Sequence, residues 1–174
     1  PSTSQHTSFL ALLYGIVEPE HTEAALDNVL NPPEGMVQVG SPFAIMYYYE
    51  ALEAMGKFDA IIDSIYEAYV PMLEAGATTV WEVFPTSGDR PSGFPTRSHC
   101  HAWSSAPVIY LNRILLGVRP TAPGGREYKI SPRPYGLSWA RGTVATAQGP
   151  LKVAWEIAGE ALSNVPLGQT IAAS

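Results

Sequence analysis

The sequence is 174 residues long, 46% of them apolar, 15% charged, with a net charge of −6. A chain of that length can bury about two thirds of its surface, and its apolar content excludes disorder. No run approaches the ~18 apolar residues of a membrane span, and the acidic balance with no basic stripe argues against nucleic acid, anionic membrane and acidic partners.

The start, "PSTSQHTSFLALLYGIV", has neither an initiating Met nor a basic n-region. It reads as a chain cut from a longer one rather than as a signal peptide, and it assigns no compartment. Ser4 is placed to cap a first helix carrying Phe9, Leu10, Leu13 and Ile16, and "PEHTEAALDNVL" follows with proline near its start. "SPFAIMYYYEALEAMG" has Ser41 at a cap position, Pro42 in the first turn and Gly56 at the end. From Lys57, the residues Phe58, Ile61, Ile62, Ile65, Tyr69 and Met72 recur on one helical face until Gly76, so this helix and the one before it are expected to pack as antiparallel neighbours. A fifth helix is predicted through "AWSSAPVIYLNRILLG", apolar on nearly every side from Val108 to Leu116 and therefore expected to be buried all round.

Proline and glycine in "LGVRPTAPGG" mark a boundary, after which the period falls to two. Leu151, Val153, Trp155 and Ile157 alternate with Lys152, Ala154 and Glu156, a half-buried strand preceded by a turn at "AQGP". Tyr128 with Ile130, and Leu137 with Trp139, predict two shorter strands. Beyond Gly159 the alternation weakens, so the sheet either lacks its last strands or ends in a frayed segment. The fold class is α+β by content. Five short helices leave too much apolar surface open to close by themselves, which points to the end of a toroid or solenoid of helical hairpins.

Between the fourth and fifth helices runs a loop of about two dozen residues, well beyond the usual ~2–8 of helix connections. It holds Glu82, Asp89, Arg90, Arg97, His99 and His101 among Trp81, Phe84, Phe94 and Trp103. Sugar sites use this mixture: aromatic faces stack on the apolar side of a pyranose while polar side chains orient its hydroxyls. A carboxylate adds the acid–base chemistry of glycoside hydrolysis. Each residue also has a plainer reading, Glu82 as a solvated loop acid and Trp81 and Trp103 as packing aromatics. His99 and His101 share a side only if the segment is extended, and no third ligand stands at metal spacing, so neither a metal nor any other cofactor is expected. Cys100, on the opposite side from both, reads as a small buried hydrophobe. His6 and His21 have no chemical neighbours, and "GDRPSGFP" lacks the strand and helix of a phosphate loop.

Four blocks in order, "GATTVWE", "SHCHAWSSAP", "LLGVRPTAPGGREYKISPRP" and "LSWARGTVATAQGPLKVAWE", resemble bacterial α-L-rhamnosidases of glycoside hydrolase family 78, and "GSPFAIMYYYEALEAMGKFDAIIDSIYEAYVPML" is similar to that family's late barrel helices. The resemblance implies that residues 1–118 are the last helical hairpins of an (α/α)6 barrel and 119–174 a small antiparallel β-sheet or sandwich domain, whose final strands "ALSNVPLGQTIAAS" match poorly. It implies that Glu82 is the general base of an inverting mechanism. It also implies that His99, a better match than His101, contacts the bound rhamnose, with Trp81 and Trp103 as pocket walls. The family's general acid comes from an earlier barrel segment, so the expected partners are a rhamnose-containing glycoside or oligosaccharide and the remainder of the barrel. The fragment alone is expected to be inactive. The competing readings are a non-catalytic carbohydrate-binding or structural piece, and an (α/α)6 glycosidase for another sugar.

Overall fold

The computed structural model describes residues 3–85, 96–158, 161–163 and 171–172. Asp89, Arg90 and Phe94 lie outside these residues. The chain divides into two compact units, residues 1–107 and 108–174.

Helix α1 (Gln5–Leu13) begins where the Ser4 side chain accepts from the His6 N–H, the expected cap. Gln5 is buried and uses both ends of its amide: Nε2 donates to the Val29 carbonyl at 2.7 Å and Oε1 accepts from the Val39 N–H at 3.1 Å. That amide ties α1 to the end of α2 (Thr22–Leu30) and to the segment leading into α3, and a partner at each end is what makes a buried glutamine tolerable. A 3-10 turn at Pro42–Ala44, capped by Ser41, opens α3 (Ile45–Ala54), and Gly56 at φ 69° ends it in the left-handed region. Helix α4 (Phe58–Glu74) buries Ile61, Ile62, Ile65, Tyr69 and Met72, the face read from the sequence. Each fully buried isoleucine contributes about 1.5–3 kcal/mol. α1 packs on α2 and α3, and α3 packs on α4.

A 3-10 turn, Ala102–Ser105, leads into α5 (Ala106–Ile114). Tyr110 and Ile114 are buried, but Val108 is 63% exposed and Ile109 is exposed as well. The expectation of burial on all sides is therefore corrected: that face of α5 has no cover among the described residues.

In the second unit, β1 (Val118–Pro120), β2 (Glu127–Ile130) and β6 (Ile171–Ala172) form one antiparallel sheet in the order β1-β2-β6. The strands β3 (Trp139–Thr146), β4 (Gly149–Ala158) and β5 (Ala161–Ser163) form another. Helices followed by two small antiparallel sheets make the chain α+β, as expected. The register Thr146↔Gly149 leaves a two-residue turn inside "TAQG", with Gly149 at φ 112°. Leu116, Val118, Ile130 and Val153 form a core shared by the two sheets, with Tyr128, Ala140, Val144 and Leu151 packed against it. Trp155 is buried and its Nε1 donates to the Leu115 carbonyl at 2.7 Å.

One strand differs from the sequence reading. Leu137 is exposed in a turn closed by its N–H to the Pro134 carbonyl, and the strand instead runs eight residues from Trp139. Its half-buried positions are Ala140, Gly142, Val144 and Thr146, of which Ala140 and Gly142 give little hydrophobic signal. A Cβ on Gly142 would lie 2.4 Å from Leu116 Cδ1, so any side chain there obliges the leucine to shift.

Candidate functional site

The stretch after α4 is neither helix nor strand, yet its backbone is tightly held. Residues 79–84 run antiparallel to 96–101: the His101 N–H donates to the Val80 carbonyl at 3.0 Å, and the Glu82 N–H to the Ser98 carbonyl at 3.0 Å. The Thr79 hydroxyl donates to the His99 carbonyl, and the buried Thr96 Oγ1 accepts from the Val83 N–H at 3.0 Å. On its other side the segment meets the start of α3. Ser41 Oγ donates to the Glu82 carbonyl at 2.7 Å, and the Phe84 N–H reaches the Gly40 carbonyl at 3.4 Å. The hydroxyl that caps the 3-10 turn before α3 thus also holds the backbone of the candidate acid.

Glu82 is half-buried, while its neighbours Trp81, Val83 and Phe84 are buried. Both backbone polar groups of Glu82 are engaged. Among the described residues none forms a hydrogen bond or ion pair with its carboxylate. The backbone of Glu82 is thus anchored, while its carboxylate is left unpartnered by the described residues, an arrangement suited to holding water or a hydroxyl.

The aromatic and histidine residues fall into two groups. Trp81, 3% exposed, meets His99 edge-on with ring centroids 5.0 Å apart. Trp103, 66% exposed, packs against Phe43 at 4.7 Å and stands edge-to-face with His101 at 5.9 Å. Of the two indoles, Trp103 is the one with a surface open to a ligand. Ser104, fully buried, links the groups: its Oγ donates to the Trp81 carbonyl at 2.7 Å and lies 3.2 Å from His101 Nδ1. The structure thus brings Glu82, Trp81 and His99 onto two paired segments and sets His101 beside Trp103. Ser41, Phe43, Thr96 and Ser104 were not singled out from the sequence as site residues. The cap signature at Ser41 marked the residue but not its second bond.

Cys100 is corrected: it is exposed, not a buried hydrophobe. Ser98 Oγ donates to the Cys100 carbonyl at 3.1 Å and accepts from the Cys100 N–H at 3.3 Å, both at the surface, so the backbone of Cys100 is held on the exposed side of the segment. Among the described residues no group of three or more His, Cys, Asp or Glu is arranged to hold a metal ion, and no helix is long and apolar enough to cross a membrane.

Helices, a long connection bearing an acid, histidines and indoles, and a two-sheet unit after it can be compared with known proteins. Residues 1–115 match the family model of the bacterial α-L-rhamnosidase 6 hairpin glycosidase domain, and residues 117–168 match that of the bacterial α-L-rhamnosidase C-terminal domain. The crystal structure of a family 78 rhamnosidase of Bacillus sp. GL1 superposes with a TM-score of 0.84 at 40% identity, covering 91% of this chain and 17% of that one. The α-L-rhamnosidase from Dictyoglumus thermophilum shares the fold, with a TM-score of 0.67 at 22% identity over 90% of this chain and 18% of that one. No curated protein matches the chain. The chain belongs to the bacterial α-L-rhamnosidases of glycoside hydrolase family 78, and it spans less than a fifth of the length of these solved relatives.

Proposed function

We propose that this chain supplies the general base, Glu82, to an inverting α-L-rhamnosidase that hydrolyses terminal α-L-rhamnosides, and that the general acid comes from the remainder of the barrel. In this reading residues 1–118 are the last hairpins of the (α/α)6 barrel and 119–174 its C-terminal β-domain. The observation that carries it is the anchoring of Glu82 from both sides, by Ser41 and by the Ser98 carbonyl, with no partner on its carboxylate among the described residues. A carboxylate held so accepts a proton from water as that water attacks the anomeric carbon. A second carboxyl group on the opposite face, ~6.5–9.5 Å away in inverting enzymes, protonates the departing oxygen. One side chain cannot occupy both places, so the isolated chain is inactive in this reading.

The substrate is a rhamnose-containing glycoside or oligosaccharide. Trp103 with Phe43 forms an apolar wall for the sugar ring, His99 and His101 bond its hydroxyls, and Trp81 backs His99 from behind. The exposed apolar side chains Tyr66, Leu73, Val108 and Ile109 suit helices that meet the remainder of the barrel.

The test is Glu82→Gln in the full-length enzyme, assayed on 4-nitrophenyl α-L-rhamnoside. A base loses about 10²–10⁴-fold in kcat with KM changed only a few-fold. Proton NMR of the first-formed sugar reports the stereochemistry, with the β anomer expected. Retained turnover in Glu82→Gln, together with weakened binding in Trp103→Ala, would instead favour a carbohydrate-binding role without chemistry.

A further inference from the structure

Ser104 has one hydroxyl proton and two polar neighbours competing for it. The Trp81 carbonyl, at 2.7 Å, takes it; this bond is buried and joins the backbone next to Glu82. His101 Nδ1, at 3.2 Å from the same oxygen, then faces a lone pair, and the contact is a hydrogen bond only if Nδ1 carries the proton. The Ser104 N–H also donates to the His101 carbonyl at 3.0 Å, so backbone and side chain hold one residue against the other. Ser104 is fully buried, which removes water as an alternative partner for its hydroxyl.

The geometry points to Ser104 as a positioning residue that fixes neutral His101 as the Nδ1–H tautomer and so directs an accepting Nε2 to the sugar. Trp103 stands edge-to-face with the imidazole at 5.9 Å. A histidine so set accepts a hydrogen bond from a sugar hydroxyl, whereas the opposite tautomer presents a donor there. The chain of contacts Glu82, Trp81, Ser104, His101 also makes the position of the base and the polarity of the histidine depend on one hydroxyl. This inference deepens the proposed sugar site and rests on that reading.

The test is a double-mutant cycle in the full-length enzyme, measuring KM and kcat for the aryl rhamnoside. His101→Ala is expected to raise KM about 10-fold or more. Ser104→Ala is expected to raise KM by a comparable factor with a smaller loss of kcat, and to add little further to KM in the His101→Ala background. Should Ser104→Ala fail to fold, Ser104→Cys, close in size with a weak S–H donor, runs the same cycle. Fully additive effects on KM would overturn the role of Ser104 while leaving the sugar site intact. An unchanged KM in His101→Ala would overturn the proposal together with the place of His101 in that site. The role of Glu82 as base is read separately, from kcat of its own variant.

Discussion

Ser41 Oγ donates to the Glu82 carbonyl at 2.7 Å, so the residue that starts one helix also holds the backbone of the candidate base 41 positions later. The same oxygen accepts from the Phe43 N–H at 3.4 Å, closing the cap. Ser41→Ala removes both bonds. It is expected to lower stability by about 1–2 kcal/mol, seen in thermal unfolding, and to lower kcat of the full-length enzyme by loosening Glu82. A fall in stability with kcat unchanged would separate the cap from the site.

The two indoles should behave oppositely when truncated. Trp81→Ala opens a buried cavity and is expected to cost about 3–5 kcal/mol, read as loss of soluble folded protein or a large drop in Tm. Trp103→Ala, at an exposed position, should change stability by less than about 0.5 kcal/mol and raise KM for the rhamnoside.

Tyr69 packs edge-on against Phe84 at 5.7 Å, yet its buried hydroxyl has no hydrogen-bond partner among the described residues. Tyr69→Phe removes that unsatisfied group and is expected to be neutral or stabilising by up to about 1 kcal/mol. Burial, and then the neighbouring Tyr49, push the Tyr69 phenol well above its ordinary value. A raised acid keeps its proton in the folded state after the unfolded chain has lost it. Its contribution is therefore intact below pH ~10, the ordinary phenol value, and is lost as pH rises beyond it. Denaturant titrations at increasing pH should show a shallower loss of stability for Tyr69→Phe than for the natural residue; identical slopes would count against the burial argument.

Gly117, at φ 71°, lies against the chain at Ser131 and Pro132, and an added Cβ would stand 2.2 Å from the Pro132 nitrogen. Its carbonyl accepts from the Ser131 N–H at 2.9 Å, so the approach cannot relax without losing that bond. Gly117→Ala combines a disfavoured backbone with a backbone clash, and a loss of more than about 2 kcal/mol is expected, measurable as a fall in Tm or in soluble yield.

Local signals were sufficient for the helices and for one strand. Ser4 and Ser41 capped where they were expected to, Gly56 and Gly76 took positive φ just past their helices, and the face of α4 from Ile61 to Met72 was buried. The alternation from Leu151 to Ile157 became β4, because that strand buries large residues on one side. Glu82, His99, His101 and the two indoles were singled out because an acid among aromatics in a long loop is chemically distinctive, and the resemblance of four ordered blocks supplied the roles proposed for them.

What the sequence left open depended on distant partners. Strand β3 was misplaced because its half-buried positions Ala140 and Gly142 carry little apolar bulk, Leu116 packing beside Gly142 where a strand is usually recognised by large residues. Cys100 is exposed in a segment whose path is set by its bonds to residues 79–84, and Val108 and Ile109 stayed uncovered among the described residues despite their apolarity. Caps and periodicities are properties of a few neighbouring residues and can be read from them. By contrast, the bond from Ser41 to Glu82, the pairing of 79–84 with 96–101 and the sharing of the Ser104 hydroxyl between Trp81 and His101 exist only once the folded chain brings remote groups within about 3 Å.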